Sequence, residues 1–125
     1  MKLKNFSLVY GTQVFKAFSE EPRIRILNLI NEFEEMCISD LELILEYTQT
    51  KTSRHLTYLK NSNIVYSEKA DQYIFYKLRE QVEDIVKEML KYLNKDRILT
   101  QDLETYKILF NNRELAAYRK NHKKW

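Results

Sequence analysis

At 125 residues, with 44% hydrophobic and 31% charged, the chain is sized for one compact domain with its own core, and its single Gly and single Pro point away from turn-rich all-β folds and toward helices. A net charge of +3 is too small for a polycation, so any binding of nucleic acid must come from where the charges sit. One Cys excludes an internal disulfide and a Cys-based zinc cluster, and no apolar run approaches the roughly 20 residues of a membrane span, so the expectation is a cytoplasmic protein with no membrane partner.

In chain order, residues 6–18 place Tyr10, Val14, Phe15 and Phe18 at helical spacing, with Gly11 weakening the first turns. Ser19-Glu20-Glu21-Pro22 closes that helix and opens a second, since Pro suits a first helical turn. Ile24, Leu27, Leu29, Ile30 and Phe33 give the second helix a broad apolar face. Met36-Cys37-Ile38 reads as a strand fragment, and Ser39-Asp40-Leu41-Glu42 as a capping box that starts a short third helix on Leu41, Ile44 and Leu45.

Thr48 is the expected cap of a fourth helix over 48–62. Thr52, Leu56 and Leu59 form its narrow inward stripe, which turns Thr50, Lys51, Arg54, Thr57 and Tyr58 mostly outward. Residues 64–78 are rich in β-branched and aromatic side chains on both sides of Lys69-Ala70-Asp71-Gln72, the pattern of a hairpin. Val82, Ile85, Val86, Met89, Leu90 and Leu93 then define a strongly amphipathic helix. Thr100 is the expected cap of a last helix carrying Leu103, Tyr106, Leu109 and Phe110, ended near Asn111-Asn112. Residues 113–125 hold five basic side chains against Glu114, a basic tail that either grazes phosphates or frays in solvent.

The expected architecture is therefore mainly α with one small β-hairpin. A short helix, a tight turn and a helix with a polar outer face make a helix-turn-helix, and the hairpin after it makes a wing. The division is a winged helix-turn-helix domain over 1–94 that includes the long amphipathic helix, and a helical extension and basic tail over 95–125. Lys51 and Arg54 suit phosphates or guanine edges, while Gln49, Thr50 and Ser53 are short enough to let the fourth helix approach bases.

Two stretches resemble the ArsR/SmtB family of winged-helix repressors. Phe15-Lys16-Ala17-Phe18-Ser19-Glu20-Glu21-Pro22-Arg23-Ile24-Arg25-Ile26-Leu27 is similar to the family's F-K-A-L-S-D-P-T-R-L-R-I-L. Gln49-Thr50-Lys51-Thr52-Ser53-Arg54-His55-Leu56-Thr57-Tyr58-Leu59-Lys60 is similar to its S-x-x-S-R-H-L-x-x-L, and Tyr73 to Leu78 resembles its second wing strand, so the likeness spans about residues 13–90. It implies a homodimeric repressor whose paired recognition helices enter successive major grooves of a palindromic duplex operator, about 34–36 Å apart. The DNA-facing set is then Gln49, Thr50, Lys51, Ser53, Arg54, His55, Thr57 and Tyr58, with Lys69 from the wing. The implied dimer interface is Tyr10 and Val14 with Val82, Ile85, Val86, Met89 and Leu93, unless that apolar surface serves packing within the chain. The extension past residue 94 is placed to pack over the dimer helices or to shield their ends.

Three departures stand out. Glu46 occupies a turn position where the family often has Gly, and a side chain there resists a left-handed backbone. Glu20-Glu21-Pro22 replaces Asp-Pro-Thr, and the wing tip lacks the common Gly. The resemblance also implies an inducer, yet neither familiar metal set is present: Cys37-Ile38-Ser39 offers one thiol where Cys-x-Cys would bind a soft ion, and residues 79–95 contain no His. No metal site and no cofactor is expected. Cys37 reads first as a small buried hydrophobe, with a redox role as the other reading. An enzyme would need a nucleophile–base pair, a phosphate loop or a metal cluster, none of which is recognisable. A winged-helix module that binds protein, or a thiol-responsive regulator acting through Cys37, are the alternatives to a DNA-binding repressor.

Overall fold

The computed structural model describes residues 5–121. Helix α1 (Leu8–Ala17) starts on Ser7, whose hydroxyl accepts from the Tyr10 amide at 3.0 Å. Gly11 does not break it, and α2 (Glu21–Phe33) opens with Pro22 in its first turn as the sequence requires. The strand fragment is β1 (Met36–Cys37), followed without a linker by α3 (Ile38–Leu45).

The capping box does not form. Pairing of Met36 and Cys37 with Tyr76 and Phe75 keeps the backbone extended up to Cys37, and the helix begins directly after it. Ser39 thus lies inside the first turn, with its Oγ 3.4 Å from Cys37 Sγ. Asp40 turns instead to a distant helix end described below.

Glu46 corrects a second expectation. It takes the left-handed backbone, φ 57° and ψ 38°, so the tight turn survives without Gly. Its amide donates to Glu42 O at 2.9 Å, and the strain of that conformation, about 1–2 kcal/mol, is carried by the packing of α3 on the next helix. That helix is α4 (Gln49–Asn61), capped by the Thr48 hydroxyl on the Lys51 amide at 3.1 Å. It ends through Asn63 at φ 61°, with the Ile64 amide returning to Leu59 O.

The wing is β2 (Val65–Ala70) and β3 (Tyr73–Leu78), joined by Asp71 and Gln72, with Asp71 at φ 58° where a glycine is common. The sheet is antiparallel in the order β1-β3-β2. A short 3₁₀ turn (Glu80–Val82) leads into α5 (Glu83–Lys91).

Helix α6 (Arg97–Asn111) is capped by Asp96, not Thr100: Asp96 Oδ1 accepts from the Ile98 and Leu99 amides, while the Thr100 hydroxyl donates to Arg97 O inside the helix. A carboxylate is the better cap, and it arrives first along the chain. The tail is corrected too. Residues 116–121 form α7 (Ala116–Asn121), Leu115, Ala116 and Ala117 are buried, and Lys120 pairs with Glu35 at 2.6 Å. Residues 122–125, which include His122 and Trp125 of the expected basic tail, lie outside the described residues.

The core runs through the whole chain. Val14, Ile26, Leu27, Leu29, Ile30, Leu41, Leu56, Leu59, Ile64, Phe75, Val82 and Leu115 are all essentially closed to solvent. Three devices bind the C-terminal helices to it. Phe33 stacks on Tyr106 with centroids 3.6 Å apart, Arg25 makes a two-pronged ion pair with Asp102, and Asp40 accepts from the Ala116 and Ala117 amides at 2.7 and 3.0 Å. The extension past residue 94 thus packs on α2 and α3.

Candidate nucleic-acid interface

Helix α4 has two sides. Thr52, Leu56 and Leu59 face inward with no exposed surface, and Thr52 returns its hydroxyl to Thr48 O at 2.8 Å. On the other side Thr50, Arg54, Thr57 and Asn61 are exposed at positions i, i+4, i+7 and i+11, one continuous ridge. Gln49 is exposed beside it, and Lys51, Ser53 and Tyr58 are half-buried along its flank. Lys69 is exposed near the tip of the wing.

His55 does not belong to that ridge. It is only 4% exposed, and burial, then the charges of Arg23 and Arg54, push its imidazole below the ordinary range. A ring packed inward is what the helical period demands, since His55 adjoins Leu56 and Thr52 on the wheel. The expected DNA-facing set therefore loses His55.

Two residues that sequence reasoning passed over hold the ridge from below. Arg23 is buried: its guanidinium donates to Ala17 O and Lys16 O, closing the end of α1, and lies 4.0 Å from the centroid of the Tyr58 ring. Tyr47, in the turn, lies under the Lys51 ammonium, 4.0 Å from the ring centroid. The signal for Tyr47 was its place four residues before Lys51; for Arg23 there was none, because a basic residue in a first turn reads as surface.

The expected dimer face is corrected more extensively. Val14, Val82 and Val86 have no exposed surface within one protomer and cannot touch a partner. The Tyr10 hydroxyl donates to Asn63 O at 2.6 Å, a bond inside the chain. The apolar surface left open on α1 is Leu8 (88% exposed), Val9 (72%) and Phe15 (61%). Val82 at the end of the 3₁₀ turn, with Val86 and Leu90 on α5, forms the inward stripe, and Ile85 and Met89 sit beside it half-buried, continued by exposed Tyr92 and Leu93 past the helix end. Both helices are apolar on two adjoining sides, and periodicity alone does not say which side meets the core.

Cys37 is 3% exposed, and burial, followed by the neighbouring Asp40 carboxylate, pushes its thiol up to about 11. A sensor thiol needs access and a lowered pKa, and this one has neither. The redox reading is corrected on that ground: at neutral pH Cys37 is a packed thiol.

Residues 20–67 match the family described as bacterial regulatory protein, arsR family. The arsenic resistance transcriptional regulator ArsR2 of Pseudomonas putida is 35% identical over 84 residues, spanning 67% of this chain and 73% of that one. The chain belongs to the arsR family. The arsenical resistance operon repressor of Escherichia coli is 33% identical to this ArsR-family chain over 76 residues, spanning 61% of it and 65% of the repressor. Among solved structures, HlyU from Vibrio cholerae superposes with a TM-score of 0.61 at 26% identity, covering 66% of this chain and 90% of HlyU. The fold is a winged helix-turn-helix, and this ArsR-family protein is a DNA-binding transcriptional regulator, like its relatives, and not an enzyme. Among the described residues no helix is long and apolar enough to cross a membrane.

Proposed function

We propose that this protein is a homodimeric repressor that reads a palindromic operator with the exposed ridge of α4 and braces the duplex with the wing. Gln49, Thr50, Lys51, Ser53, Arg54, Thr57 and Tyr58 face the major groove, and Lys69 meets phosphate. The observation that carries this reading is the ridge itself: a helix closed on its apolar side, capped by Thr48, and lined outward with short polar side chains around the exposed Arg54. Short side chains let the helix axis approach base edges, and an extended arginine spans to a guanine or a phosphate.

The apolar surface of Leu8, Val9 and Phe15, with that of Ile85, Met89, Tyr92 and Leu93, supplies the two-fold contact. One copy of the ridge reaches few phosphates, so pairing is what brings affinity to a useful level. Several relatives are named for arsenic or cadmium resistance. In this chain Cys37-Ile38-Ser39 and the His-free stretch 79–95 lack the donors for either familiar ion site, and we read its inducer as something other than an ion held there.

The test is duplex binding measured across salt concentrations. Wild-type protein is expected to lose affinity linearly on a log–log plot as salt rises. Arg54→Ala is expected to cost about 1–3 kcal/mol of affinity while leaving thermal unfolding unchanged. Binding indifferent to salt, or an Arg54→Ala variant as tight as wild type, contradicts the assignment; the former would favour a protein-binding module.

A further inference from the structure

The C-terminal extension reaches the recognition helix through a chain of three side chains. Asp102 on α6 is buried and grips Arg25 on α2 with both oxygens, Nε to Oδ2 and Nη2 to Oδ1 each at 2.8 Å. The remaining arm of the same guanidinium, Nη1, donates to the Tyr47 hydroxyl at 3.2 Å, and its carbon lies 5.4 Å from the Tyr47 ring centroid. Above that ring, at 4.0 Å, sits the ammonium of Lys51, on the first turn of α4.

Two cations therefore share one phenol, which is tolerable only because one of them is neutralised. With Asp102 in place the planar fork of Arg25 is fixed and its charge compensated, so Tyr47 is held by its hydroxyl and its ring face is free to attract Lys51. Without the carboxylate, Arg25 becomes an uncompensated charge beside the same ring and repels the lysine. A flexible lysine otherwise gives up rotamer freedom on meeting a phosphate, and a side chain already placed gives up less.

We propose that Asp102 is a positioning residue for DNA binding: through Arg25 and Tyr47 it sets Lys51 at the start of the recognition helix, making α6 a working part of the DNA-reading surface. This rests on the function proposed above, so its test has an arm that uses no DNA. In full-length protein, the Lys51 ε-methylene protons are expected upfield in NMR spectra from the ring current of Tyr47, and to return toward the ordinary lysine position in Asp102→Asn. Tyr47→Phe keeps the ring and removes only the hydroxyl, and the shift is expected to weaken there as well.

On duplex DNA, each single variant is expected to bind about two- to fivefold more weakly per recognition helix, hence about four- to twenty-five-fold for a dimer. Combining either with Lys51→Ala is expected to cost no more than Lys51→Ala alone, a non-additivity that general loosening of the fold would not produce. An unmoved Lys51 resonance, or losses that simply add, overturns the proposal; should Asp102→Asn fail to fold, Tyr47→Phe decides by the same readouts. If wild-type protein binds no duplex while the Lys51 resonance responds as expected, the placement of Lys51 stands and the functional reading above is what fails.

Discussion

Replacing Leu8 and Phe15 together by aspartate is expected to leave a folded monomer whose affinity for duplex DNA is lower by about two to four orders of magnitude. Both side chains are exposed in the isolated protomer, so nothing in the core is disturbed. What is lost is the apolar contact proposed to tie two recognition ridges together, and with it the second ridge's binding as an intramolecular event. Sedimentation velocity reads the change of mass, circular dichroism reads the fold, and a duplex titration reads the affinity. Val14→Asp provides the contrast: one residue before Phe15 but without exposed surface, it is expected to unfold the chain, because it buries an unpaired carboxylate. If Leu8→Asp/Phe15→Asp stays dimeric, the two-fold contact lies elsewhere.

That contrast also marks how far the residues could be read unaided. The order of elements was legible because each carries a local signal: Thr48 before a 3.6-residue stripe, Pro22 in a first turn, β-branched runs on either side of Asp71. So was the outward side of α4, where Thr52, Leu56 and Leu59 leave one choice for the inward side. What was not legible depends on partners far away in sequence. Val14 and Phe15 are equally apolar, and only the tertiary packing around α1 decides which is covered. His55 is a different case: its polar ring suggested the outer side, although its place beside Thr52 and Leu56 on the wheel already turns it inward. Ser39 has every local qualification as a cap, but the pairing of Cys37 with Phe75 moves the helix start ahead of it. Glu46 departs from the expected glycine and still adopts φ 57°, because the packing of α3 on α4 outweighs a backbone preference of about 1–2 kcal/mol.

The second large effect is expected at Asp40. Its two oxygens receive the amides of Ala116 and Ala117 at 2.7 and 3.0 Å, and all three residues are buried. Asp40→Ala strands both amides away from water, at about 1–3 kcal/mol each, and removes the anchor between α3 and α7. A loss of about 3 kcal/mol or more in denaturant unfolding is expected, with hydrogen exchange accelerating first at residues 116–120. Asp40→Asn keeps one accepting oxygen and is expected to lose roughly half as much, because its amide nitrogen faces a second donor. Burial raises the Asp40 carboxyl above its ordinary range, the two amides opposing that shift, so the amides are what make a carboxylate tolerable there. An Asp40→Ala variant as stable as wild type would mean that the packing of Leu115, Ala116 and Ala117 and the Lys120–Glu35 pair hold α7 without it.

These two sites describe one arrangement from opposite ends. Asp40, Asp102 and the Phe33–Tyr106 stack fasten the C-terminal helices to α2 and α3, and they leave open the apolar residues of α1, with Tyr92 and Leu93 just past α5, which are the surface proposed to meet a second copy. Between them α4 is held on its apolar side and open on its polar one.

The most direct measurement is methylation protection of guanine N7 on a duplex recovered from a random pool by the full-length protein. Two protected patches in the major groove are expected, one helical turn apart on the same side of the duplex and related by two-fold symmetry. With Arg54→Ala, both patches are expected to weaken together. A single patch, no protection of N7 at all, or a pool from which no duplex is retained would contradict the account.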